Sequence, residues 1–192
     1  MIKKLYSITL ALLCFLVAQT SFASVPTLAV TFDTNVYIYN GTSSQKSKIY
    51  SAEQKIRDVI ASESFRTKVL NHTYGGAKRF VDSGGLTNSQ IYYKILHGIE
   101  RLNGIDDNEM DLKIKTYYES SNTVGYTSSS SSYINMNTKF LNQYTSNQVA
   151  RNMTHEWLHK LGFHHAVNYS YSRDFSVPYA IGKIVEELAR YH

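Results

Sequence analysis

The residues best able to do chemistry are gathered in one string, His155-Glu156-Trp157-Leu158-His159-Lys160-Leu161-Gly162-Phe163-His164-His165. Residues four apart on an α-helix lie one above the other, so His155 and His159 can point two imidazoles at one ion. Zinc suits such nitrogen ligands. Glu156 follows His155 about a quarter-turn round the helix, within reach of a water on that ion without having to ligate it. Gly162 supplies the turn that a third ligand needs. A helix cannot deliver another histidine to the same ion from further along its axis, and glycine tolerates the left-handed conformation that ends a helix. His165, three residues on, then closes a three-histidine set, with His164 as the alternative if the turn runs differently. Three protein ligands leave a position open for water, as a catalytic zinc requires.

Such a site needs a rigid helix beneath it. At about 100° per residue, Val149, Ala150, Met153, Trp157 and Leu161 fall on one arc. His155, His159, Gln148 and Asn152 fall on the opposite side. The pattern predicts a helix from Ser146 to Leu161 with an apolar back and a polar front lining a cleft. A histidine that served only the core would lie within the apolar arc.

Upstream, residues 28–39 are rich in β-branched and aromatic side chains and read as a strand. The following NGTSSQKS reads as a loop. Ser51 and Gln54 have capping-box form and predict a helix from 52 to about 70. A second helix is expected over 88–102, with Ile91, Ile95, Leu96, Ile99 and Leu102 on its apolar side. Leu112 and Ile114 alternate with lysines, as in a strand with one wet face. The serine-rich stretch up to Asn137 suggests a hairpin, and a last helix is expected over about 180–191. With no internal repeat and no Pro/Gly-rich linker, one α+β domain is the simplest organisation.

Residues 1–23 read as a secretory signal: Lys3 and Lys4, an apolar run from Ile8 to Val17, then Ser21 and Ala23 at a small-residue cleavage site. The expected mature domain is 24–192, with 24–162 as its larger part and 163–192 as a small C-terminal subdomain. Cys14 is the only cysteine and falls in the leader, so no disulfide or thiolate metal site is expected after it. The net charge of +5 is mild and its basic residues are scattered, which gives nucleic-acid binding no support. No later segment is apolar and long enough to span a membrane. The expectation is a secreted or periplasmic monomer with a bacterial type of leader.

The eleven-residue string resembles the extended zinc signature HExxHxxGxxH of the metzincin zinc endopeptidases, at His155, Glu156, His159, Gly162 and His165. That resemblance implies a zincin-like α+β fold: a mixed twisted sheet, a backing helix and an active-site helix. The clan usually carries a methionine in a tight turn beneath the zinc, often with a tyrosine two residues later. This chain has no methionine after Met153. If Tyr179 takes the tyrosine's place, Val177 stands where methionine would be. Tyr179 would then donate a hydrogen bond to the oxyanion. Alternatively, Pro178 and Tyr179 only make a turn before the last helix.

The expected activity is a secreted zinc endopeptidase acting on proteins or peptides, with Zn2+ as cofactor. A zinc-activated water attacks the scissile carbonyl while Glu156 acts as general base. Tyr133–Asn137 is the expected edge strand for an extended substrate. An exported zinc-binding protein with little protease activity and a zinc hydrolase of cell-wall peptides are the alternatives. The acidic run Asp106–Asp111 lacks the spacing of a calcium loop and reads as a solvated turn. His72, His97 and His192 stand alone in the sequence and read as structural or surface groups. Asp33 is a speculative latency aspartate for the zinc.

Overall fold

The computed structural model describes residues 31–192. The leader read at 1–23, Cys14 and the first residues of the strand expected at 28–39 lie outside that range. One four-stranded sheet and six α-helices make up an α+β fold. Strand β1 (Asp33–Ile38) runs parallel to β2 (Glu109–Tyr117), and β2 runs parallel to β4 (Ile134–Asn137). Strand β3 (Gly125–Tyr126) adds antiparallel to β4, so the order is β1-β2-β4-β3 and the sheet is mixed. Period-two alternation decides its faces. Met110, Leu112, Ile114, Ile134 and Met136 are buried, while Lys113 is exposed. Burying each such apolar side chain favours the fold by roughly 1.5–3 kcal/mol before the entropy cost.

The strand order corrects one expectation. Tyr133–Asn137 is not an edge, because β4 is flanked by β2 on one side and β3 on the other. The edge on that side of the sheet is β3, a two-residue strand that carries no alternation to betray it.

Two helix boundaries also differ from expectation. Helix α1 (Ser43–Ile60) starts within the segment read as a loop. Thr42 accepts from the backbone N–H of Gln45, and the Gln45 side chain accepts from Thr42 N–H in return. Ser51 and Gln54 share that capping form but lie mid-helix, because the buried stripe begins earlier, at Gln45 and Ile49. Ser62 then caps a separate α2 (Glu63–Leu70) by accepting from Phe65 N–H, so the expected 52–70 helix is two helices. Helix α3 (Asn88–His97) stops well before 102. Gly98 adopts φ +65°, and any Cβ there would collide with the Glu109 backbone. Ile99 and Leu102, read as part of its apolar side, are exposed.

After the short α4 (Thr138–Gln143), helix α5 (Ser146–Lys160) runs through the middle of the molecule and packs on α1 and α6 (Val177–Leu188). Thr145 caps it, reciprocally with Gln148. Val149, Ala150, Met153, Trp157 and Leu161 are all fully buried, as the wheel predicted. A polar clamp fixes the same back face. Glu100 accepts from Trp157 Nε1 at 2.8 Å and from Lys160 Nζ at 2.7 Å, and Lys160 also donates to the Asp111 carbonyl at 2.9 Å. Helix α6 starts at Val177 rather than near 180, because Pro178 fits the first turn, where its missing N–H costs nothing. Val177, Ile181, Val185 and Ala189 join the same core as α5.

Candidate metal centre

The end of α5 builds the site. Leu161 is its last cap, and Gly162 follows with φ +90°. Gly162 N–H bonds back to His159 O at 2.9 Å and Phe163 N–H to Leu158 O at 3.0 Å. This paired closure satisfies two orphan carbonyls and reverses the chain. His165 is thereby carried back beside the helix. Its ring centroid lies 5.1 Å from that of His155 and 4.9 Å from that of His159, and the two helical rings are 5.0 Å apart. His164 is exposed, with its ring 6.3 Å from His159, and does not join the group.

Carbonyl oxygens set the orientation of two of the three imidazoles. His159 Nδ1 donates to Phe163 O at 2.8 Å and His165 Nδ1 to Ala166 O at 2.9 Å. His155 bonds the backbone of Pro178, which has only a carbonyl to offer. A carbonyl can only accept, so Nδ1 of His159 and of His165 carries the proton and their Nε2 atoms present lone pairs. One ligand atom from each histidine lies within 4.8 Å of the others, and His155 Nε2 and His165 Nε2 are 3.2 Å apart. Two nitrogens bound tetrahedrally to zinc at 2.0–2.1 Å stand about 3.3 Å apart, so the set fits a metal ion of that size. Burial holds the His155 imidazole well below its usual range, helped by its histidine neighbours. Burial lowers His159 as well. Neutral rings are what a metal requires.

Glu156 shares the cleft with these rings and is only 5% exposed. Burial alone pushes its carboxyl up to about 8. Gly125 on β3 shows how closely the strand approaches. A Cβ there would stand 3.0 Å from Asn152 Nδ2 and 3.4 Å from Glu156 Oε1. Asn152 Nδ2 is buried without an acceptor, so a side-chain donor faces the cleft beside the acid. Tyr179, in the first turn of α6, sets its ring edge-on to His155 at 4.6 Å and lies 4.7 Å from His165. Val177 is fully buried. Pro178 and Tyr179 thus begin the last helix and also bring an aromatic ring to the histidines.

The cleft measures about 780 Å³ and runs between the β3 segment and the histidines. Arg151, Arg173 and Asn122–Thr127 line it too, and sequence reasoning did not assign them to the site. Asn152 had a signal, since it shares the polar arc with the histidines. Arg173 had none, because it lies in a turn at Tyr171–Phe175 with no periodic pattern.

The remaining polar candidates fall elsewhere. Asp106 pairs with His97 Nδ1 at 2.8 Å, and Asp107 accepts from Glu109 N–H at 3.1 Å. Among the described residues, only His155, His159 and His165 form a cluster able to hold a metal. Asp33 faces Arg57 on β1 and does not line the cleft. Among the described residues no helix is long and apolar enough to cross a membrane. No protein-family model, curated protein or solved structure matches this chain.

Proposed function

We propose that this chain is a secreted zinc endopeptidase of the metzincin type. The observation that carries the proposal is the convergence of three imidazoles beside a buried carboxyl on the wall of one open cleft. His155, His159 and His165 would hold a zinc ion, which would supply Lewis acidity for activating a water and a carbonyl. The chain's own groups do the rest. Glu156 takes a proton from the attacking water and hands it to the leaving amine nitrogen. Tyr179 offers a hydroxyl donor to the carbonyl oxygen as it gains charge. The β3 edge, Gly125–Tyr126, offers backbone groups to a substrate in extended form. Leader and site together make the proposed setting extracellular or periplasmic.

The test is digestion of casein and a mixed peptide library by the purified protein, with metal analysis alongside. We expect one zinc per chain, cleavage abolished by a chelator and restored by zinc, and no cleavage by Glu156→Ala. A zinc-loaded protein that cleaves nothing is a binding protein and sinks the proposal. So does a Glu156→Ala variant as active as wild type.

A further inference from the structure

Two guanidinium groups line the cleft, and their surroundings differ. Arg151, on α5, is matched by Glu186 of α6 at 3.0 Å. Arg173 has no carboxylate partner among the described residues. The adjacent Asp174 turns instead to Lys183, at 3.9 Å. The cleft's one acid, Glu156, has a carboxyl governed by burial and forms no ion pair with Arg173. The Arg173 side chain makes one hydrogen bond, from Nη1 to Val167 O at 2.9 Å, and its Nε is buried without an acceptor. A guanidinium carries five N–H donors, so most of this fork is unused.

The fork is held in place near the histidines. Its central carbon lies 4.6 Å from the centre of the Tyr179 ring. The same Tyr179 ring lies 4.6 Å from His155 and 4.7 Å from His165. A cation stacked on an aromatic face loses little further freedom on binding, which favours affinity. Planar bidentate recognition by arginine suits a carboxylate.

We propose that Arg173 is the specificity residue of this cleft, holding a carboxylate of the substrate, and that acidic peptides are therefore the preferred substrates. This rests on the peptidase reading of the same site. The carboxylate comes from an Asp or Glu side chain or from the peptide's C-terminus, and the two sources are separable.

The experiment compares peptides that differ only in carrying Glu, Gln or Lys, each with a free or an amidated C-terminus. Cleavage by the zinc-loaded enzyme is read as kcat and KM. Binding of labelled peptides to the Glu156→Gln protein is read separately by fluorescence anisotropy. Charge-assisted hydrogen bonds predict a preference for the carboxylate of about ten- to a hundredfold, carried by KM. The preference shrinks as salt rises. Arg173→Gln removes it with little change in kcat, Arg173→Lys keeps part of it, and Arg173→Glu favours the Lys peptide. Loss of preference on amidation assigns the C-terminus, whereas a Glu-over-Gln preference that survives amidation assigns the side chain.

Equal treatment of Glu and Gln peptides and of free and amidated ends by wild type overturns the inference, whatever the variants do. So does a preference that Arg173→Gln and Arg173→Lys both leave intact. Protein that cleaves nothing but binds carboxylate peptides through Arg173 overturns the peptidase reading alone. Protein that cleaves without such a preference overturns this inference alone.

Discussion

Glu100 and Glu156 are both buried against α5, at 3% and 5% exposure, yet their surroundings have little in common. Glu100 lies behind the helix, where both its oxygens are used, one by Trp157 and one by Lys160. Glu156 lies in front, where burial dominates and no cation or donor offsets it. Asn152 repeats the pattern on the front face, with a buried amide nitrogen that has no acceptor. The Glu100 clamp behind the helix is closed chemically, and the Glu156 side is left open. Buried polar groups in a stable protein are normally satisfied, so an unsatisfied pair beside three histidines is a candidate functional region.

The first way to break this comparison is Glu156→Gln. In the proposed mechanism the front carboxyl contributes a proton transfer and little stability, so hydrolysis should fall by about 10²–10⁴ in kcat. The metal-free variant should melt no lower than wild type, since a lone buried acid is replaced by a neutral amide of the same shape. Activity assays and thermal melts read both. A variant that keeps its activity, or that unfolds, erases the distinction between the two faces.

The back face predicts the reverse. Glu100→Ala leaves the Lys160 ammonium and the Trp157 N–H buried without that partner, and should cost about 3–5 kcal/mol in urea unfolding. Burial raises the Glu100 carboxyl above its usual range despite the adjacent Lys160, so desolvation outweighs the attraction. The paired change Glu100→Leu with Lys160→Met should therefore come close to wild-type stability, as apolar replacements of buried ion pairs often do. A double variant as unstable as Glu100→Ala would show that the clamp contributes more than mutual neutralisation.

Gly162 joins the two faces, and its substitution sharpens the contrast. Alanine at φ +90° is strained, and its Cβ would meet the Arg101 side chain. The backbone strain alone is about 1–3 kcal/mol. The turn also aims His165, so metal affinity should weaken more than stability does. Metal titration and urea melts on one preparation separate the two effects. Equal loss of both would mean that the turn matters to the fold alone.

The site was more legible in the sequence than the scaffold was. His155, His159 and the polar arc follow from helical periodicity, and Gly162 announces the reversal that brings in His165. These are local rules, and local rules also placed β2 and α5. The misreadings arose where a local rule met a tertiary choice. Thr42-Gln45 and Ser51-Gln54 offer the same capping chemistry, and burial of Ile49 decided between them. Gly98 ends α3 because the Glu109 backbone lies against it, which no window around residue 98 reveals. The edge strand was missed because Gly125–Tyr126 is too short to show a period. Arg173 was missed because what sets it apart, the Tyr179 ring beside it and the absence of a carboxylate partner among the described residues, is not a feature of its own segment.

One buried polar group outside the cleft tests whether an unsatisfied atom must mean function. His72 Nε2 is buried without a partner, and the ring stacks on Phe80 at 4.0 Å, far from the histidine cluster in topology. Burial lowers its pKa from the ordinary 6.5. The folded state therefore resists protonation that the unfolded chain accepts. Stability from this group is complete above about pH 6.5 and is lost as the pH falls from there toward the lowered folded value. His72→Phe keeps the stack and removes the titration, and the Asn88 bond to the His72 carbonyl does not depend on the side chain. Its urea midpoint should fall less than wild type's between about pH 7 and pH 5. Because the ring is only half-buried, this is the smallest of these effects. Activity should not change, in contrast to every front-face substitution. An activity loss in folded His72→Phe would instead draw His72 into the functional region and blur the line between a structural cost and a working site.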